Sequence, residues 1–259
     1  MKNKQKRELA VCGYAAVKAL EARRSEAVRR LYFTKERARQ FGALCRALAA
    51  RSAPYNIAEP EELESLCGSV HHQGVVAMIA FEPPQPLTQK RALALAQECR
   101  PVVLLDRIGN ANNLGAIVRS AAFFGIRSIV LPLEDGQSLA TTSAFRVAQG
   151  GMEYVDLYSV RSPAAFLQDM EGRMIRAAAD VRGKEPVSRL GQLCAGKSCV
   201  LIIGNEEDGV SKELLRLCDH RVVIPGAALP ETGVPAVESL NAAQAASVMF
   251  YECTRRREK

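Results

Sequence analysis

From about residue 100 onward the chain repeats one pattern: a short unbroken apolar run, then a segment of helical periodicity, then another run. The runs are residues 102–105, 128–133, 174–180, 199–203 and 221–224, with helical segments such as 117–124 and 212–218 between them. A strand that is apolar at every position must be covered on both faces, and strands joined through helices run parallel. The pattern therefore predicts an α/β unit built on a parallel sheet. Ligands of such sheets collect at the carboxyl ends of the strands, so the loops after three of these runs are where chemistry is expected.

Upstream, residues 8–80 mix the two periodicities. Residues 14–23 read as a helix, 28–33 as a short strand, 35–51 as a basic helix stopped by Pro54, 55–58 as extended chain and 74–81 as a closing apolar run. Pro60 with Glu61 and Glu62 marks a helix start, because proline fits the first turn and acids suit the positive end of the helix dipole. The segment Glu82-Pro-Pro-Gln-Pro-Leu-Thr-Gln places three prolines in four positions, which removes ladder donors and reads as a break in regular structure. These signals divide the chain into residues 1–82, a linker over 83–99 with a helical stretch at 91–99, and a second unit over 100–259.

The net charge of +7 is unevenly spread: residues 1–51 hold fourteen Lys or Arg against four Glu, a local +10. A basic patch on a less charged body fits a polyanionic partner. It fits equally the solvated face of a helix, since Arg and Lys are good helix formers. The eight cysteines are scattered with no Cys-x-x-Cys pair, and Cys194 and Cys199 come closest, four residues intervening. With only His71, His72 and His220 to help, a zinc site is hard to complete, and no metal is expected. Reduced cysteines used as small apolar residues suit a cytoplasmic protein. No apolar run approaches the roughly 18 residues that cross a bilayer, and no secretory apolar segment follows the basic residues 1–7.

The first loop, Leu105-Asp-Arg-Ile-Gly-Asn-Ala-Asn-Asn-Leu-Gly, is rich in asparagine and runs into a helix expected to start near Leu114 and to end at Gly125. Arg119, one turn into that helix, can aim its guanidinium back toward a phosphate or carboxylate at the helix start. Asn110, Asn112 and Asn113, each taken alone, are explained as turn or N-cap residues. The second loop, Gly204-Asn-Glu-Glu-Asp-Gly-Val-Ser, has the glycine offset of a phosphate-binding loop, but Val210 stands where the lysine must be and three acids would repel a triphosphate. Its carboxylates beside tight glycine turns suit a ligand with positive charge, although Asp208 or Ser211 alone is also a plain cap for the helix at 212–218. The third loop carries Ser239-Leu-Asn ahead of an alanine-rich helix, where Ser239 alone reads as a cap.

In this order and spacing the loops resemble the three signature motifs of the SpoU (TrmH) family of SPOUT RNA 2′-O-ribose methyltransferases: Asn113, Gly115 and Arg119; Gly204, Glu206 and Gly209; Ser239, Leu240 and Asn241. The likeness covers residues 100–255, and the first unit is similar to the L30e-like substrate-binding domain that precedes many members. The resemblance implies an α/β SPOUT-type parallel sheet with a C-terminal trefoil knot, preceded by a small α/β L30e-like domain. It implies S-adenosylmethionine as cofactor, held mainly through backbone groups at Gly204, Gly209, Ile224 and Leu240. It implies RNA, ribosomal or transfer, as substrate, and a homodimer whose partner completes the site.

The expected reaction is methyl transfer to a ribose 2′-hydroxyl. Arg119, Asn113, Glu206, Ser239 and Asn241 form the expected catalytic set, and Arg23, Arg24, Arg29, Arg30, Lys35, Arg37 and Arg39 the expected RNA-binding set. Arginine is a poor base at a pKa above about 12, so Arg119 is assigned to orienting the acceptor and stabilising developing negative charge. An RNA-binding or ribosome-assembly protein that kept the fold without catalysis is the alternative, and the intact Asn113, Arg119, Glu206 and Asn241 weigh against it. The chain departs from the family in two places. Asn110-Ala111 replaces the usual Asp-Pro, and the stretch between Pro225 and Ser239 is several residues longer than the family's link.

Overall fold

In the computed structural model residues 8–133, 137 and 139–255 are described; the basic residues 1–7 lie outside them. The amino-terminal elements are β1 (Glu8–Cys12), α1 (Tyr14–Arg24), β2 (Val28–Phe33), α2 (Gly42–Ala49), β3 (Tyr55–Ile57), α3 (Pro60–Cys67) and β4 (Val75–Ala80). Their four strands form one sheet in the order β1-β4-β2-β3. The helix expected over 35–51 is divided: Lys35–Phe41 is a 3-10 helix, and the α-helix starts only at Gly42. Phe41, fully buried, anchors the junction against Tyr14, ring centroids 5.9 Å apart.

A second sheet of eight strands follows, in the order β10-β12-β9-β11-β6-β7-β8-β5. Its strands are β5 (Gln85–Pro86), β6 (Pro101–Asp106), β7 (Ser128–Pro132), β8 (Asp156–Val160), β9 (Ile175–Ala179), β10 (Glu185–Pro186), β11 (Cys199–Gly204) and β12 (His220–Val223). Every pairing in it is parallel. The helices are α4 (Gln89–Gln97), α5 (Ala111–Phe123), α6 (Thr142–Ala148), α7 (Pro163–Asp169), α8 (Leu190–Leu193), α9 (Lys212–Arg216) and α10 (Ala242–Thr254). The five strands expected from apolar runs are all present, each within a residue or two of its expected limits. The proline-rich segment is not wholly irregular, because Gln85 and Pro86 pair with Tyr158 and Ser159 of β8. An outermost strand tolerates proline, whose missing N–H then faces away from the ladder.

Alternation along the central strands shows why they are apolar throughout. Val103 and Leu105 of β6 and Leu201 and Ile203 of β11 enter one core. Val102, Leu104, Val200 and Ile202 enter another on the opposite face. The first core is continuous with that of the small sheet, where Val11, Leu20, Leu31 and Leu44 lie. Gly150 marks the close approach: a Cβ there would stand 2.7 Å from Ala19 Cβ of α1. An ion pair between Arg24 and the buried Glu153, 2.8 Å, closes the same seam.

One ion pair ties the start of β12 to β9. Arg176 on β9 makes a forked contact with Asp219, at 2.7 Å and 3.1 Å, and its backbone N–H donates to the same carboxylate at 2.8 Å. These hydrogen bonds hold the Asp219 carboxyl below its ordinary value, and burial only partly opposes them. A depressed carboxyl contributes stability above its ordinary pKa and loses it as pH falls through the folded value. Asp219→Asn should therefore cost about 2 kcal/mol at neutral pH, discounted for the carboxylate's partial exposure. The cost should vanish toward the foot of the acid transition, as urea titrations at pH 7 and pH 3 would show.

Candidate active site

The carboxyl ends of β6 and β11 lie side by side, with Asp106 opposite Gly204. Gly204 meets the returning loop so closely that a Cβ would stand 2.1 Å from both Gly209 C and Val210 N. The loop turns back at once: Gly209 N–H donates to the Asn205 carbonyl at 2.9 Å, and Gly209 takes φ +68°. Asn205 Oδ1 accepts from the N–H groups of Glu207 and Asp208, at 2.7 Å and 3.3 Å, which builds the turn from within.

A second set of contacts ties this loop to the one after β6. Asp106, buried at the strand end, accepts from Ser211 N–H at 2.7 Å. Asn205 Nδ2 donates to the Arg107 carbonyl at 3.0 Å, while the Arg107 side chain reaches Asp208 at 3.4 Å. Arg107 holds φ +57°, a left-handed conformation that these partners stabilise. The two loops thus form one rigid wall. Asp106, Arg107 and Asn205 were not singled out from the sequence, yet a charged pair at the end of a continuous apolar strand was the available signal.

The three motifs meet on Asn113. Its side-chain Nδ2 donates to the Glu206 carboxylate, and its Oδ1 accepts from Asn241 Nδ2 at 3.2 Å. Asn113 lies in the first turn of α5, which begins earlier than expected because Asn110 is the N-cap, accepting from Asn112 N–H at 2.8 Å. The helix ends as expected, with Gly125 at φ +75° just beyond it. Gly115 has a packing role: a Cβ would lie 2.5 Å from the Ala144 carbonyl of α6, so only glycine lets the two helices touch.

Arg119, two turns from the start of α5, is exposed and makes no hydrogen bond or ion pair among the described residues. Its neighbour Ser120 bonds Ser247 of α10, Oγ to Oγ 2.7 Å, which fixes α5 against α10. The N-cap of α10 is Asn241, accepting from Ala243 N–H at 2.9 Å, and not Ser239, which is exposed and two residues too early to reach the helix. Ser239 joins none of the Asn113 contacts. Ile224 follows β12, half-buried against the main core, and Leu240 is exposed beside Asn241. The long link folds on itself, with Ala228 bridged to Pro235 and Leu229 N–H bonded to the Val234 carbonyl at 2.9 Å.

The basic residues of the first unit separate into two groups. Arg24 is paired with Glu153 and Glu82, Arg30 with Glu8 and over the Tyr32 ring, and Arg37 with the Gln73 carbonyl and Gln40. Their forks are committed within the fold. Arg23, Arg29, Lys35 and Arg39 are exposed, Arg23 lying over the Tyr154 ring.

The SpoU rRNA Methylase family matches residues 100–251, and a family described as RNA 2′-O ribose methyltransferase substrate binding matches residues 10–85. An uncharacterised tRNA/rRNA methyltransferase of Haemophilus influenzae is 32% identical over 155 residues, 60% of this chain and 43% of that protein. The 23S rRNA (guanosine-2′-O-)-methyltransferase RlmB of Acinetobacter baylyi is 30% identical over 202 residues, 77% of each chain. The chain spans 43%, 64% and 48% of the lengths of three curated relatives it matches. Among solved structures, the SpoU methyltransferase AviRb of Streptomyces viridochromogenes in complex with AdoMet superposes with a TM-score of 0.73 at 24% identity, over 99% of this chain and 92% of that one. The AdoMet-bound rRNA methyltransferase of Sinorhizobium meliloti gives 0.74 at 21%, over 99% and 90%. Motifs, parallel sheet and paired family matches coincide: the chain belongs to the SpoU rRNA methylase family.

Proposed function

We propose that the protein transfers a methyl group from S-adenosylmethionine to a ribose 2′-hydroxyl of RNA. The observation that carries this reading is the convergence of Asn113, Glu206 and Asn241, from three distant loops, beside the glycine wall of Gly204 and Gly209. The loop packs its own backbone against Gly204 and leaves open space beside Gly209, which fits a cofactor gripped by backbone groups. Glu206 adds negative charge and the exposed Leu240 an apolar surface, and Ile224 stands just past the end of β12, which β9 separates from β11. When bound, the cofactor supplies an activated methyl group on a positively charged sulfur.

The residues of the chain supply position and charge. Displacement at a methyl carbon needs the attacking oxygen in line, so holding the ribose contributes much of the acceleration. Arg119, without a hydrogen bond or ion pair among the described residues, is available to the acceptor phosphate or 2′-oxygen and stabilises the negative charge that develops there. Asn113, bonded to Glu206 and Asn241, keeps the three loops in one arrangement. Ser239 is kept in the site by its motif position alone.

Residues 8–82 serve as the RNA-binding unit and 100–255 as the catalytic unit, joined through 83–99. The exposed Arg23, Arg29, Lys35 and Arg39 provide the phosphate contacts. Arg24, Arg30 and Arg37 contribute little there, because internal partners already hold them. The reading includes a homodimer: Phe123 is 82% exposed on α5 and stacks edge-on with Phe124, which meets the exposed Tyr251 of α10. Such an aromatic patch is the kind of surface a second copy covers. The threaded, knotted carboxyl end belongs to the same proposal, supported by α10, the last helix, lying on the main core. A cytoplasmic site of action follows from an RNA substrate, and no helix among the described residues is long and apolar enough to cross a membrane.

The test is incubation of the protein with methyl-labelled S-adenosylmethionine and rRNA or tRNA from cells lacking it, followed by nuclease digestion and mass mapping. Label on a 2′-O-methyl nucleoside at one position is the expected result. Absence of label from both RNAs, or label on a base nitrogen, would overturn the assignment.

A further inference from the structure

Three cysteines that are dispersed in the sequence meet at the end of the sheet opposite the candidate active site. Cys194 follows α8, Cys199 opens β11 and Cys253 lies in the last turn of α10. Their sulfurs all fall within 4.8 Å of one another, and Cys199 and Cys253 are 3.6 Å apart. We propose that these three thiols form a binding site for a thiophilic d10 cation, zinc(II).

The spacing suits the ion. Zinc–sulfur bonds of about 2.3 Å in a tetrahedral arrangement place sulfurs about 3.8 Å apart, close to the 3.6 Å between Cys199 and Cys253 and inside the 4.8 Å limit that holds for all three. Small side-chain rotations would close the chelate. Two structural details bring the thiols together independently of any ion. Residues 194–199 form a tight return in which Lys197 N–H donates to the Cys194 carbonyl at 3.1 Å and Gly196 takes φ +70°. Gly191 lets α8 touch α10, since a Cβ there would stand 2.7 Å from the Glu252 carbonyl.

The chemistry of the donor set favours a soft cation, because thiolates select zinc or copper(I) over magnesium or calcium. Cys199 is 1% exposed and Cys194 is also buried, which shields the bonds from competing water. Cys253 is only half-buried, so the fourth corner opens toward solvent and is completed by water. On binding, the three thiols release three protons to solvent, three sulfur–zinc bonds form, and hydration waters leave; no electrons move. The ion would staple the foot of α10 to the foot of β11. Those same two elements carry Asn241 and Gly204 at their other ends, so the staple would steady the loops without touching substrate.

The experiment uses the full chain, purified under a thiol reductant, stripped with a chelator, reloaded with zinc(II) and desalted. Elemental mass spectrometry should find one zinc per chain, and cobalt(II) in its place should show the near-ultraviolet sulfur-to-metal charge-transfer band of thiolate ligation. Cys199→Ser and Cys253→Ser should each reduce retained zinc to near zero, while Cys218→Ser, outside the trio, should not. Cys253 is the more exposed ligand, so its variant keeps the test usable where Cys199→Ser fails to fold. Zinc should raise the melting temperature of the wild type and leave that of Cys253→Ser unmoved. Failure of the reduced wild type to retain zinc, retention by the two ligand variants equal to that of the wild type, or a cobalt spectrum without sulfur charge transfer would each overturn the site. So would a pair of these cysteines isolated as a disulfide from the reductant-treated protein.

Discussion

Arg119→Ala is expected to lower the turnover number for RNA methylation about a thousandfold, in the range found when one preorganised charge-stabilising donor is removed. S-adenosylmethionine affinity should change little, because Arg119 lies outside the glycine wall and makes no contact with the Asn113 junction. The change removes a side chain that is exposed and has no hydrogen bond or ion pair among the described residues, so stability should hold as well. Arg119→Lys should recover only part of the loss, since a point charge cannot reproduce a planar fork on phosphate or ribose oxygens. Single-turnover kinetics beside calorimetric titration of the cofactor would separate the two effects. Turnover near the wild-type rate in the alanine variant would remove Arg119 from the mechanism.

Gly204→Ala should do the opposite kind of damage. The added carbon would stand 2.1 Å from two backbone atoms of the returning loop and 2.4 Å from the Gly209 carbonyl oxygen, so the loop itself must open. A forced backbone shift of this kind costs about 3 kcal/mol. Cofactor affinity should fall by two orders of magnitude or so, on the cost that misplacing a preorganised site exacts. Gly209→Ala provides the contrast: nothing lies within 4 Å of the added carbon, and only the positive φ is at stake. Its cost should be about 1 kcal/mol, the strain of a left-handed alanine. Urea midpoints and cofactor titration on the two variants would check the difference. Equal behaviour of the pair would mean that contact with the returning loop is not what Gly204 provides.

The central strands were legible in the sequence because burial on both faces demands apolar residues at every position, a signal that survives without any knowledge of partners. β8 was not legible: its sequence Asp-Leu-Tyr-Ser-Val is interrupted by polar groups, and Ser159 is accommodated only because its hydroxyl bonds the Pro84 carbonyl at 3.2 Å. β1 was missed for a related reason, since a five-residue strand gains its identity from pairing with β4, about seventy residues away. The helix over 35–51 looked continuous from composition, but where a helix tightens to 3-10 geometry depends on where Phe41 must be buried. The motif residues were recognisable by type and spacing. Their mutual bonds were not, because Glu206 and Asn241 lie 93 and 128 residues beyond Asn113.

Local pattern, then, was enough to specify a parallel sheet, the limits of its five apolar strands and the three loops at their carboxyl ends, because those follow from the period of apolar residues and from the backbone needs of glycine and asparagine. Tertiary structure alone decided which charges are spent inside the fold, as with Arg24 on Glu153, and which stay exposed, as with Arg119. It also brought three separated cysteines together and made Gly115 and Gly204 necessary through what presses on them. These are properties of through-space distance, and a chain read residue by residue carries no measure of that distance until its elements have packed.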